Sequence, residues 1–72
     1  MEIEVKNLTD LFHIEVIFED TFSFATIKRQ TSVSGLTLLN MQKDIGKIVI
    51  DRFNKKTQIH ETLKLKAIKR AL

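Results

Sequence analysis

Residues 35–54, GLTLLNMQKDIGKIVIDRFN, decide the fold. Read with a period of 3.6, Leu38, Met41, Ile45, Val49 and Phe53 form one apolar stripe, the mark of an amphipathic helix. Asn40, Lys43, Asp44, Lys47, Asp51 and Asn54 fill the opposite side. Ser34 stands where an N-cap belongs, although Thr37 does not complete a capping box. Lys55 and Lys56 follow where the helix dipole favours cations. Two features oppose a helix. Gly46 inside it costs roughly 1 kcal/mol against alanine, and the β-branched run Ile48-Val49-Ile50 suits a strand. The spacing predicts a helix near 36–54.

Upstream the period is two. Glu2 to Lys6 alternates polar and apolar, placing Ile3 and Val5 on one face of a strand. Asn7-Leu8-Thr9-Asp10 supplies turn chemistry, because Asn and Asp hydrogen-bond their own nearby backbone. Phe12, Ile14, Val16 and Phe18 then alternate with His13, Glu15, Ile17 and Glu19. After a break at Glu19-Asp20-Thr21, Phe22, Phe24 and Thr26 alternate with Ser23, Ala25 and Ile27, which suits a third strand folding back. Four of the five phenylalanines lie in this half, and aromatic and β-branched residues fit pleated surfaces. The expectation is a β-hairpin over 2–18 within a meander over 2–29.

Downstream, Leu63, Leu65 and Ala67 alternate with Lys64 and Lys66 as in a strand. Leu65, Ile68 and Leu72 also have helical spacing, so 58–68 reads as strand or helix. The architecture expected is α+β: a small single-layer antiparallel sheet built from 2–29 and covered by the helix near 36–54. A small all-β barrel is the alternative, and only two glycines to serve its corners and bulges weigh against it.

Met1-x-Ile3-x-Val5-Lys6-x-Leu8-Thr9, followed by Glu15-Val16 and Asp20-Thr21, resembles the opening hairpin of the ubiquitin family over the first third of the chain. The resemblance implies a β-grasp-like arrangement. It carries no function across, since Arg70-Ala71-Leu72 stands where that family has Gly-Gly, and the segment after Asp20 is rich in Phe, Thr and Ser rather than in helix formers.

The chain has 72 residues, no cysteine and no proline. That length fits one domain, 1–72, burying about 60% of its unfolded surface. Without cysteine there is no disulfide, zinc-thiolate site or thiol nucleophile. No apolar run approaches the ~18 residues of a membrane span, and an acidic start does not resemble a secretory signal. A cytoplasmic location and no membrane partner are expected. The net charge of +3 conceals a segregation. Residues 1–42 hold three cations against six acids, a balance of −3, while residues 43–72 hold nine against three, a balance of +6.

That second half attracts phosphate backbones, and Lys55, Lys56, Lys64, Lys66, Lys69 and Arg70 are the candidate nucleic-acid contacts. A solvated face, with Lys47–Asp51 and Asp51–Lys55 as i,i+4 helix pairs, would explain the same charges, as would attraction to the acidic half within one molecule or a homodimer. Phe12, Phe18, Phe22 and Phe24 read as core, leaving Phe53 the one aromatic among the bases. His13 with Glu15, and His60 with Glu61, fall short of the three or four ligands a metal needs. No nucleophile elbow or phosphate-binding glycine loop is present, so no catalytic residue, metal or cofactor is expected. The chain reads as a small non-enzymatic binding protein, acting on nucleic acid or, alternatively, as an interaction module or adaptor for a second copy or an acidic protein.

Overall fold

The computed structural model describes residues 2–71. Its elements are β1 (Leu11–Asp20), β2 (Thr26–Ser34), α1 (Gly35–Lys43), β3 (Val49–Asn54) and β4 (Ile59–Arg70). The four strands form one antiparallel sheet in the order β2-β1-β4-β3. It is made of two hairpins, β1–β2 and β3–β4, zipped together along β1 and β4. The sheet curls into a half-barrel.

Alternation in the two central strands builds the core. Ile14, Val16 and Phe18 of β1 meet Leu63, Leu65 and Ile68 of β4, with Leu38 of α1 and Ile3 closing one end. Leu65 and Ile68 are three apart, so a regular strand would put them on opposite faces. The register shifts between Ile17 and Phe18, which pair with Ala67 and Leu65 and leave Lys66 unmatched. That bulge keeps both apolar side chains inward and sharpens the local twist.

A curled, self-packing sheet replaces the expected α+β layering, and the helix is the reason. It spans nine residues, not the stretch 36–54. Ser34 caps it, its Oγ accepting from Thr37 N–H at 3.3 Å. It stops at Lys43 because Gly46 has φ +80, the left-handed region, where a helix cannot continue. Gly46 N–H donates instead to Leu65 O at 2.8 Å. The β-branched Ile48–Ile50 run then enters β3, and the segment expected over 58–68 as strand or helix is strand from Ile59 onward. A helix this short packs against β1 and β2 near one end and cannot cover four strands.

The hairpin expected over 2–18 is also absent. Residues 2–10 contain no strand; the first hairpin is β1–β2, with Phe22 and Phe24 in its turn. Ile3 has its backbone satisfied by a side chain: its N–H donates to Gln42 Oε1 at 2.7 Å and its carbonyl accepts from Gln42 Nε2 at 3.0 Å. An amide imitating a neighbouring strand removes the need for one. The β-grasp arrangement implied by the ubiquitin resemblance fails with that strand. Gly35 is where this segment crosses the helix start, and a Cβ there would run into Asn7 O and lie 2.7 Å from Val5 Cγ1.

The all-β barrel alternative is not reached either, because the sheet stays open between β2 and β3. Its two hairpin turns do not rely on glycine. Phe24 and Gln58 adopt positive φ, 57 and 56, held by Phe24 N–H to Asp20 O at 2.8 Å and Gln58 N–H to Asn54 O at 2.6 Å.

No helix among the described residues is long and apolar enough to cross a membrane.

Candidate nucleic-acid interface

The six cations expected to bind phosphate do not share one face. Lys55 and Lys56 are exposed in the β3–β4 turn, while Lys64, Lys66, Lys69 and Arg70 are exposed along β4. At ~3.3 Å per residue, this twelve-residue strand spreads them over roughly 40 Å. Lys64 and Lys69 lie opposite Glu19 and Glu15 on the outer face, whereas Arg70 lies opposite Ile14 in the inward register. Lys66 projects at the bulge.

None of these register neighbours closes an ion pair. The one side-chain contact of ion-pair length among the described residues joins His60 Nδ1 to Asp51 Oδ1 at 3.4 Å. The i,i+4 pairs Lys47–Asp51 and Asp51–Lys55 do not exist, because the segment is not helical. All twelve lysine and arginine side chains thus lack a carboxylate partner among the described residues.

Two further cations, outside that set, line one cleft at the open mouth of the half-barrel. Arg29 of β2 is opposite Val16, and Arg52 of β3 is two residues from Ile50, which is opposite Leu63. Register therefore aims both arginines at the concave face, from the two outer strands. They line a cleft of about 400 Å³ together with Phe53, Asn54, Lys55 and Glu61. Beneath it a second recess of about 190 Å³ has an apolar floor of Phe18, Ile50 and Leu63. Two guanidinium groups above an apolar floor suit an anion, because their planar forks bind phosphate or carboxylate oxygens in pairs.

Three aromatic side chains near this end of the sheet are exposed. Phe53 is 51% exposed on the outer face, with the His60 ring centroid 4.8 Å away and tilted by 46°. Phe22 and Phe24, read from sequence as core, are 92% and 75% exposed. Their turn is tied to the second hairpin, since Thr21 donates to Thr62 O through both N–H, at 3.0 Å, and Oγ1, at 3.1 Å. The β1–β2 and β3–β4 turns therefore sit at the same end of the sheet.

Sequence reasoning missed Arg29 and Arg52 as a pair. Arg29 falls in the acidic half, and no local pattern announces that β2 and β3 are the two sheet margins. Phe53 was legible as the single aromatic among bases. His13 is engaged by Ser32, Nδ1 to Oγ at 2.7 Å, and no group of three or more His, Cys, Asp or Glu among the described residues could hold a metal. Against known proteins, the chain matches no family model, no curated protein and no solved structure.

Proposed function

We propose that this protein is a cytoplasmic, non-enzymatic module that binds nucleic acid through its basic surface. The observation that carries this reading is the absence of carboxylate partners for all twelve lysine and arginine side chains among the described residues. Cations already neutralised within the fold have little to offer a phosphate; unpaired ones release condensed counterions from the polyanion on binding. Lys55, Lys56, Lys64, Lys66, Lys69 and Arg70 extend this surface along β4 and its turn. The cytoplasm is where such a surface meets accessible polyanions.

Fluorescence anisotropy with labelled DNA and RNA at low salt tests the proposal. The logarithm of the affinity falls linearly with log salt, with a slope of roughly −0.7 to −0.9 per phosphate contacted. No binding to either polymer at low salt overturns it.

A separate observation favours a second reading, self-association. Leu8, Leu11 and Leu36 are all exposed and are brought together by Leu36 N–H to Leu8 O at 3.0 Å and Gly35 N–H to Asp10 O at 2.8 Å. This apolar patch lies at the end of the sheet away from the β1–β2 turn. Sedimentation across a concentration series separates the readings: a dimer that leaves nucleic acid unbound supports the second.

A further inference from the structure

Beyond nucleic acid, we propose that this protein docks on an anionic bilayer surface. Phe22 and Phe24 of the β1–β2 turn enter the headgroup layer, and Lys55 and Lys56 of the β3–β4 turn meet its negative charge. The two rings are the most exposed large apolar side chains among the described residues. Phe24 also has φ 57, a left-handed angle that glycine or asparagine adopts at less cost. A turn that only reverses the chain needs neither feature. Nor are the rings carried on loose backbone. Asp20 Oδ1 accepts from Phe22 N–H at 2.8 Å and from Ser23 N–H at 3.4 Å, and Asp20 O accepts from Phe24 N–H at 2.8 Å. Strained, hydrogen-bonded backbone holding apolar groups out in water points to a contact surface.

Charge selects what covers it. Residues 21–25 and 53–60, which lie outward of the Thr21–Thr62 contact, include Lys55 and Lys56 and no carboxylate. Both lysines are exposed. This end of the sheet is therefore apolar and positive together. The two turns need not form one pocket, because a bilayer is planar and meets whatever projects at one end. Thr62 is three residues from the start of β4, so the β3–β4 turn leads by about 10 Å, which a tilt of the molecule absorbs. A protein partner would need a recess matched to each projection, whereas a fluid headgroup layer admits them unshaped. Attachment of this kind scales with buried apolar area and with attraction to anionic lipid. The expectation of no membrane partner rested on the lack of a spanning run and of a secretory signal, and a tip that enters only the headgroup layer needs neither.

Co-sedimentation with vesicles tests this, using phosphatidylcholine alone and phosphatidylcholine mixed equally with phosphatidylserine. The protein binds the mixed vesicles roughly tenfold or more tightly than the neutral ones, since each lysine near an anionic surface contributes about fivefold. Phe22→Ser with Phe24→Gly weakens binding to the mixed vesicles by roughly tenfold or more and leaves DNA affinity unchanged. Glycine accepts the backbone angle at position 24, so the turn still forms. Lys55→Gln with Lys56→Gln weakens binding to the mixed vesicles and not to the neutral ones.

Phe22→Trp provides a readout independent of impaired binding. The chain has no tryptophan, so the new indole reports alone. Its emission shifts to shorter wavelength on adding mixed vesicles and is quenched when their lipid is brominated. No binding to mixed vesicles overturns the inference, and so does binding that the Phe22→Ser, Phe24→Gly variant retains in full. An indole that responds to an oligonucleotide and not to vesicles assigns the turn to base contacts and overturns it. A dimer that the paired variant abolishes, without vesicle binding, assigns the turn to a second copy and overturns it as well. Anisotropy with DNA and RNA on the same samples decides the nucleic-acid reading separately.

Discussion

Arg29 and Arg52 stand on the two outermost strands of the sheet, yet they line the same cleft. Like charges lining one cleft repel, and among the described residues neither has a carboxylate within ion-pair distance. The arrangement therefore concentrates positive charge in the cleft at some cost to the free protein.

Reversing one of the two charges separates these effects. Arg29→Glu replaces repulsion across the cleft by attraction to Arg52, and exposed pairs of this kind contribute about 0.2–1 kcal/mol. In a domain of this size 1 kcal/mol corresponds to roughly 4–8 °C in Tm. The melting temperature accordingly rises by a few degrees while nucleic-acid binding weakens. A melting temperature that falls contradicts the electrostatic account of the cleft.

Gln42 satisfies both the N–H and the carbonyl of Ile3. Gln42→Ala leaves a part-buried N–H and C=O without partners, costing about 1–3 kcal/mol. Urea denaturation reads the loss. Amide hydrogen exchange localises it, with Ile3 losing protection ahead of β1 and β4; unchanged protection at Ile3 would show that the amide clamp is dispensable.

Leu65→Ala and Phe22→Ala test where the core lies. Leu65 is 1% exposed at the centre of the apolar cluster, so truncation costs about 2–5 kcal/mol. That is a large share of the ~4–10 kcal/mol available to a chain of this length. Phe22, an aromatic that alternation assigns to the interior, changes stability by less than about 0.5 kcal/mol. Similar losses at the two positions would place Phe22 in the core after all.

The two glycines differ in what they permit. Gly46→Ala forces a side chain into the left-handed region and costs about 1 kcal/mol, while its nearest neighbour, Lys64 Cε at 3.9 Å, leaves ample room. Gly35→Ala has an ordinary φ but collides with the backbone of Asn7, so it displaces residues 2–10 from the helix start. Proteolysis and exchange rates in that segment rise for Gly35→Ala and not for Gly46→Ala.

The elements legible in the sequence are those whose local pattern and tertiary environment agree. Phe12 to Phe18 alternates because β1 has one face on the core, and Leu63 and Leu65 alternate with lysine for the same reason. Ser34 caps the helix as its chemistry suggests. Between 44 and 54 the helical spacing of Ile45, Val49 and Phe53 is coincidental, and a single backbone angle at Gly46 overrides it. At Glu2–Lys6 the alternation is real, but Gln42 occupies the place of a partner strand. The Arg29–Arg52 cleft depends on the order in which two hairpins join, and no periodicity in either strand encodes that order.

Closed barrels have a circumference fixed by strand number and stagger, because every strand is hydrogen-bonded on both sides. This sheet has three ladders and no fourth. The distance between its margins is the sum of the twist at those three ladders, each of which tolerates variation of ten degrees or so. The mouth consequently behaves as a caliper: small, low-cost adjustments along β1 and β4 add up at Arg29 and Arg52. Its gape is the dimension of the sheet that no hydrogen-bonded ladder fixes.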